Sequence, residues 1–185
     1  MIRIGFICPT FNEQTLHAYT LRSLRSFFKY TAGGVAIVVD DASDGWNLQH
    51  QKDIETLHRF AGQEVYVHRF EQWGGLTRSW NKGLNLANEL NLDYVIAGNN
   101  DILFTTCWYE GLLQALENGY ELVGPLSNAP GTTSRGHADV FRYVPDYQLT
   151  DDATYLNNLA RQLKSRYSGT VVPVGINGFF MLAKN

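Results

Sequence analysis

Apolar runs alternate along the chain with stretches whose apolar residues recur at helical spacing, and that alternation predicts repeated β-α units. Residues 2–8 read as a buried first strand. Residues 14–30 read as a helix with Leu16, Tyr19, Leu21, Leu24, Phe27 and Phe28 near one face. Residues 35–39 form the second strand, and 48–60 a helix carrying Leu48, Ile54, Leu57 and Phe60. Residues 64–68 alternate as a third strand. Gly74 and Gly75 open a helix through Trp80, Leu84, Ala87 and Leu90, and residues 94–97 are the fourth strand. This order predicts an α/β fold with a central, mostly parallel sheet flanked by helices and joined by right-handed crossovers. Beyond Asp101 the pattern loosens. It predicts a helix over 108–117, a short strand over 121–124 and a Gly/Ser/Thr/Asn/Pro loop over 127–136. A helix capped by Asp151 or Asp152 follows through Tyr167, with apolar segments at 171–174 and 177–182 closing the chain.

A chain of 185 residues supplies one full core and is short for two ordinary domains, so a single domain over 1–185 is expected. No run approaches the roughly 20 apolar residues that cross a bilayer. Residues 1–7 lack a secretory cleavage signal, and a soluble, cytoplasmic protein is the expectation. Cys8 and Cys107 have no metal-ligand spacing and read as reduced thiols. The net charge of -3 comes without a basic cluster, which argues against nucleic acid as a partner.

The candidate chemistry lies where strands end. Residues 92–98 lead into Asn99-Asn100-Asp101, and 35–39 into Asp40-Asp41-Ala42-Ser43-Asp44-Gly45. Carboxylates at the C-terminal ends of parallel strands stand in the crevice where open α/β sheets bind ligands. Asp and Asn also end strands as turn formers, so either run alone has a purely structural reading. Two acidic strand ends on one rim favour a site.

Pro9-Thr10-Phe11-Asn12-Glu13 after the first strand, residues 39–45 after the second, Gly74-Gly75-Leu76-Thr77-Arg78-Ser79-Trp80-Asn81-Lys82-Gly83 and Asn99-Asn100-Asp101 together resemble glycosyltransferase family 2 in order and spacing. Residues 123–128 and 177–182 resemble later family segments. The resemblance implies the GT-A fold, a Rossmann-like sandwich, and transfer of a sugar from a nucleoside diphosphate to an acceptor with inversion. It also implies a divalent ion, Mn2+ or Mg2+, bridging the donor phosphates. Asp101 matches the last acid of the family's Asp-x-Asp motif and is the implied metal ligand. Asn99 replaces the first acid and removes a charge, leaving coordination to Asp101, phosphate oxygens and water.

By the same resemblance Asp41 accepts the uracil N3–H of a UDP-sugar and Phe11 lies beside the base. Asp40 serves the base or caps its turn. Pro9, Thr10, Asn12 and Glu13 share the Phe11 loop, and Asn100 stands beside the metal position. Gly75, with Gly74, admits a pyrophosphate to the backbone at a helix start, and Arg78, then Lys82, supplies a cation. For the saccharide acceptor, Trp73, Trp108 and Tyr109 are candidate stacking surfaces, and His137, near Arg135 and Asp139, is a candidate second ligand or phosphate contact.

The family's general base follows the segment matched by 178–182, and this sequence stops at Asn185. Asp139, Asp146, Asp151 and Asp152 are available acids, none in the matching place. The expectation is a GT-A domain without the usual acceptor and base segment, slow at donor hydrolysis and self-associating through an uncovered edge. A non-catalytic sugar-nucleotide-binding module is the second reading. A nucleotidyltransferase is the third, disfavoured because residues 9–13 contain neither glycine nor a basic residue.

Overall fold

The computed structural model describes residues 1–13, 16, 18–61, 63–128, 139–167, 169 and 178–185, the side chains of 58–61 excepted. The chain forms two compact units, residues 1–104 with Asn185, and residues 105–184.

The first unit follows the predicted alternation: β1 (Ile4–Thr10), α1 (Thr20–Tyr30), β2 (Gly34–Asp40), α2 (Leu48–Ala61), β3 (Glu64–Arg69), α3 (Leu76–Glu89) and β4 (Tyr94–Gly98). The strands run parallel, β1 between β2 and β4, with β3 beyond β2. β1, β2 and β4 are buried almost throughout, as parallel strands covered on both faces must be, whereas β3 is only half-buried. Register places Thr10 beside Asp40, and Asp40 beside Arg69. The loops after β1, β2 and β3 therefore leave the sheet at one level.

Phe6, Phe27 and Phe104 pack against one another on one side of the sheet, with centroids 5.0–5.4 Å apart. Ile7, Val35, Ile37, Val39 and Val95 pack with Ala87 and Leu92, against Trp80, Leu84 and Phe70. A Cβ at Gly83 would collide with Ile7, so glycine is what lets α3 lie this close to β1. Each such aromatic or branched side chain contributes about 1.5–3 kcal/mol when taken fully out of water.

α1 starts later than its periodicity predicts. Helical spacing extends back to residue 14, yet the helix begins at Thr20, where a carboxylate supplies the missing cap. Leu16 is buried as expected. Residues 14, 15 and 17 lie outside the described residues.

The second unit holds α4 (Glu110–Glu117), β5 (Leu122–Val123), α5 (Val140–Tyr143), α6 (Ala153–Tyr167) and β6 (Phe180–Lys184), with β5 and β6 antiparallel. Val140, Tyr147 and Leu159 pack with Val144, Tyr155, Leu156 and Leu163. The one-turn α5 was not predicted; Asp139 caps it by accepting from Phe141 N. Asp152 rather than Asp151 caps α6, accepting from Thr154 N and Tyr155 N at 2.7 and 3.0 Å. The predicted segment 171–174 and most of the 127–136 loop, with Arg135 and His137, lie outside the described residues. Among the described residues no helix is long and apolar enough to cross a membrane.

Candidate functional site

Two loops of the first unit are laced together by polar atoms. Asn12 takes a left-handed backbone (φ 49°), tolerated by its short polar side chain, and Ala42 another (φ 63°). Asn12 N donates to Ser43 Oγ at 2.8 Å, while Asn12 Oδ1 accepts from Asp44 N at 2.9 Å. Ser43 Oγ donates in turn to Asp40, which also accepts from Ser43 N at 3.1 Å. Asp40 is fully buried and ion-paired with Arg69 at 3.2 Å. Of its two sequence readings, the turn cap is the one its contacts match.

Glu13 is a hub. Its carboxylate accepts from Tyr19 N (2.8 Å), Thr20 N (3.1 Å), Thr20 Oγ1 (2.6 Å), Thr10 Oγ1 (3.3 Å) and Asn100 Nδ2 (3.2 Å). Two of those donors are the amides of the N-cap residue Tyr19 and of Thr20, the first residue of α1, at a helix start whose own N-cap side chain makes no capping bond. Asn100 also donates to Thr20 Oγ1 at 3.2 Å, which fastens the loop after β4 to the start of α1. Through these contacts Glu13 and Asn100 hold the rim together.

Asp41 is 4 % exposed and accepts from Gly74 N at 3.0 Å and Gly75 N at 2.6 Å. Gly75, at φ 85°, then starts α3. Arg78, one turn into α3, folds back against Gly74, where a Cβ would strike its side chain. Its guanidinium lies 3.7 Å from the Phe70 ring centroid and donates to Gln72 O at 2.7 Å. His68 stacks edge-on against the same ring, at 4.7 Å. Burial first, then the cations Lys82 and Arg78, hold its proton affinity below the ordinary histidine value.

Phe11 and Asp101 differ from these tethered groups. The Phe11 ring is 50 % exposed at the end of β1. Asp101 is exposed just past β4, and among the described residues its carboxylate makes no hydrogen bond or ion pair. Its charge, with that of Glu13, reinforces the burial that raises the Cys8 thiol. No cluster of three or more His, Cys, Asp or Glu side chains that could hold a metal occurs among the described residues. Asp101 with the neutral oxygen of Asn99 nevertheless suits a hard divalent ion whose other ligands are phosphate oxygens and water.

Trp73 is exposed in this unit. Trp108 and Tyr109 belong to the second, where Trp108 packs on Phe180 at 5.7 Å. The residues missed in the sequence are Thr20, Ser43, Arg69 and His68. A hydroxyl within a strand-end acidic run was the signal available for Ser43. Arg69 and His68 carried none.

No protein of curated function matches the sequence. Several solved structures share its fold. GalNAc-T7 with UDP, GalNAc and Mn2+ has a TM-score of 0.52 and 20% identity, over 64% of this chain and 22% of that one. The S. aureus TarS 1–349 complex with UDP has a TM-score of 0.54 and 19% identity, over 71% of this chain and 38% of that one. The mannosyltransferase PcManGT from Pyrobaculum calidifontis, in complex with GDP-Man and Mn2+, has a TM-score of 0.57 and 15% identity, over 98% and 44%. The chain thus spans less than half the length of each of these proteins. These likenesses show the GT-A fold. The sequence profile of glycosyl transferase family 2 matches residues 6–185, nearly the whole chain, and the chain belongs to that family.

Proposed function

We propose that this chain is the donor-binding core of a glycosyltransferase that takes a sugar from a nucleoside diphosphate, with inversion, and passes it to a saccharide hydroxyl. The observation that carries this reading is Asp101, an exposed carboxylate without a hydrogen bond or ion pair among the described residues, beside a rim on which Glu13, Asp40 and Asp41 are tied down. A divalent cation, Mn2+ or Mg2+, would be held by Asp101 and the oxygen of Asn99. When bound, it supplies charge stabilisation to the departing diphosphate.

The remaining roles fall to this chain's own groups. Phe11 offers a half-exposed ring to the face of a base. Pro9, Thr10 and Asn12 shape the loop that carries it, and Glu13 with Asn100 fixes that loop to the strand end bearing Asp101. Arg78 has guanidinium N–H groups beyond the one given to Gln72 and is the cation for a phosphate. A UDP-sugar is the donor we favour, since GalNAc-T7 and TarS were solved with UDP; PcManGT, with GDP-Man, marks the alternative. No acid is assigned as general base, and that step is typically worth about 10²–10⁴-fold. Slow donor hydrolysis is accordingly the activity expected of the chain by itself. Self-association and a cytoplasmic location belong to the same proposal.

Asn99 in place of an acid favours a second reading, a module that binds sugar nucleotide without turning it over. Titrating UDP with and without Mn2+, and following UDP release from UDP-glucose and UDP-galactose, separates the two. Metal-dependent binding with slow release supports the enzyme; binding with no release supports the module. Absence of any metal-dependent nucleotide binding refutes both.

A further inference from the structure

β3 leaves one side of the sheet open. Among the described strands it pairs with β2 alone, in unbroken parallel register from Glu64 to Arg69. Phe70 N donates to Asp40 O, so the even-numbered residues turn their backbone groups toward β2, and Val65, Val67 and Arg69 turn theirs outward. Natural sheet edges are protected by proline, lysine, a bulge or a covering element, and β3 has no Pro, Lys or bulge. Its charges stand near its ends and are engaged there: Glu64 with Arg3 at 2.8 Å, and Arg69 with Asp40 at 3.2 Å. Between them Tyr66 is 37 % and Val67 46 % exposed, one on each face of the strand. We infer that β3 is the contact through which two copies of this chain associate, its free edge pairing antiparallel with β3 of a second copy about Tyr66.

The side chains of β3 select the second copy and the register. A two-fold axis normal to the sheet keeps each face on its own side, so even-numbered residues meet even-numbered ones, and the outward-turned odd residues exchange the hydrogen bonds. Centred on Tyr66, Val65 meets Val67 of the second copy, Tyr66 meets Tyr66, and Glu64 meets His68. Apolar then faces apolar, aromatic faces aromatic and acid faces imidazole, with no like charges opposed. Moving the centre to Val67 would set Val65 against the Arg69 guanidinium and Glu64 against Phe70, so the strand is self-complementary about Tyr66. On the face of Val65 and Val67, a groove of about 690 Å³ opens between β3 and α2, with Trp46, Ile54, Glu55 and Arg69 also along it. The valines of the second copy lie beside that groove in this register and shield its apolar floor. Such a contact is small, of the class burying less than about 1,200 Å², and a dissociation constant in the micromolar range suits it.

Strand pairing needs no nucleotide, so the test is made without one and is independent of the donor reading above. Sedimentation velocity of the full chain, from low to high micromolar concentration, should show a monomer passing into a dimer. Amide exchange followed by NMR should find Val65, Val67 and Arg69 exchanging freely when dilute and slowing as the dimer forms, while Tyr66 and His68, turned toward β2, stay protected throughout. Tyr66→Lys and Tyr66→Glu each set like charge on like charge at the two-fold axis and should weaken the dimer by about tenfold, with thermal melts of the dilute proteins showing that both fold. Mixed in equal amounts, the two variants should recover a heterodimer, because this register alone brings position 66 of one copy against position 66 of the other.

Leu122→Lys, at an exposed position of β5, should dimerise as the wild type does. A wild type that stays monomeric over the whole range overturns the inference, and so does a dimer that Leu122→Lys abolishes and Tyr66→Lys leaves intact. Failure of the two mixed variants to associate overturns it as well. An edge reserved for an extended peptide of another protein would leave the Val65, Val67 and Arg69 amides exchanging freely at every concentration, which is again the overturning result. A protein that dimerises through β3 and binds no nucleotide defeats the donor reading alone.

Discussion

Glu13 and Thr20 meet twice across a gap of seven residues: Thr20 Oγ1 donates to Glu13 Oε2 at 2.6 Å, and Thr20 N donates to Oε1 at 3.1 Å. The first residue of α1 is thereby capped by a side chain from the end of β1. The same carboxylate takes Asn100 from the far side, so helix start, nucleotide-loop candidate and metal-strand candidate share one acceptor.

Glu13→Ala should cost about 2–3 kcal/mol, because amides and a hydroxyl are left without their charged acceptor. For a chain of this size that corresponds to a melting temperature lower by roughly 4–12 °C. Glu13→Gln should lose less, as one oxygen acceptor survives. Calorimetry of the three proteins checks this; an unchanged midpoint in Glu13→Ala would refute the capping role.

Asp101→Ala should leave stability within about 0.5 kcal/mol, as expected for an exposed side chain that has no hydrogen bond or ion pair among the described residues. The same variant should lose Mn2+-dependent UDP binding. Isothermal titration alongside a thermal melt tests both halves, and wild-type metal-dependent binding in the variant would remove Asp101 from the proposed metal site.

The two thiols should differ in reactivity. Cys8 is buried, and burial first, then the charges of Glu13 and Asp101, disfavour its thiolate. Cys107 is half-exposed. Iodoacetamide at mildly alkaline pH should therefore modify Cys107 in the native protein and reach Cys8 only after unfolding, as peptide mass spectrometry can follow. Equal modification of both in the native state would contradict the core around β1.

His68 sets a direction for stability against pH. Its folded proton affinity lies below the ordinary histidine value of 6.5, so the folded state binds a proton less readily than the unfolded chain. Stability tied to neutral His68 is present above that value and is lost as pH falls through it toward the lower folded value. Imidazole NMR should give a midpoint below 6.5, and His68→Gln should flatten the acid limb of the stability profile between the two values. A midpoint at or above the unperturbed value would show that burial and the charges of Lys82 and Arg78 do not act on this ring together.

Several elements were legible because their signal is local. Unbroken apolar runs at β1, β2 and β4 announced buried parallel strands, and helical spacing located α2 and α3 within a few residues. The start of α1 was misplaced by such a rule: apolar spacing continued past the point where Glu13, outside the helix, supplies the cap. α5 escaped because a single turn offers no period to detect.

By itself the sequence determined that acids and polar residues would stand at the C-terminal ends of β1, β2 and β4, since strand burial and strand ends follow from hydrophobic patterning. Only the tertiary structure decided which of those acids also hold the chain's own groups. Asp41 accepts from amides 33 and 34 residues away, Glu13 from a side chain 87 residues away, and Asp40 from Ser43 and Arg69, while Asp101 stays exposed. The physical reason is that a carboxylate's contacts depend on the donors around it. Those donors arrive from segments remote in sequence, brought to one level by the parallel register of the strands.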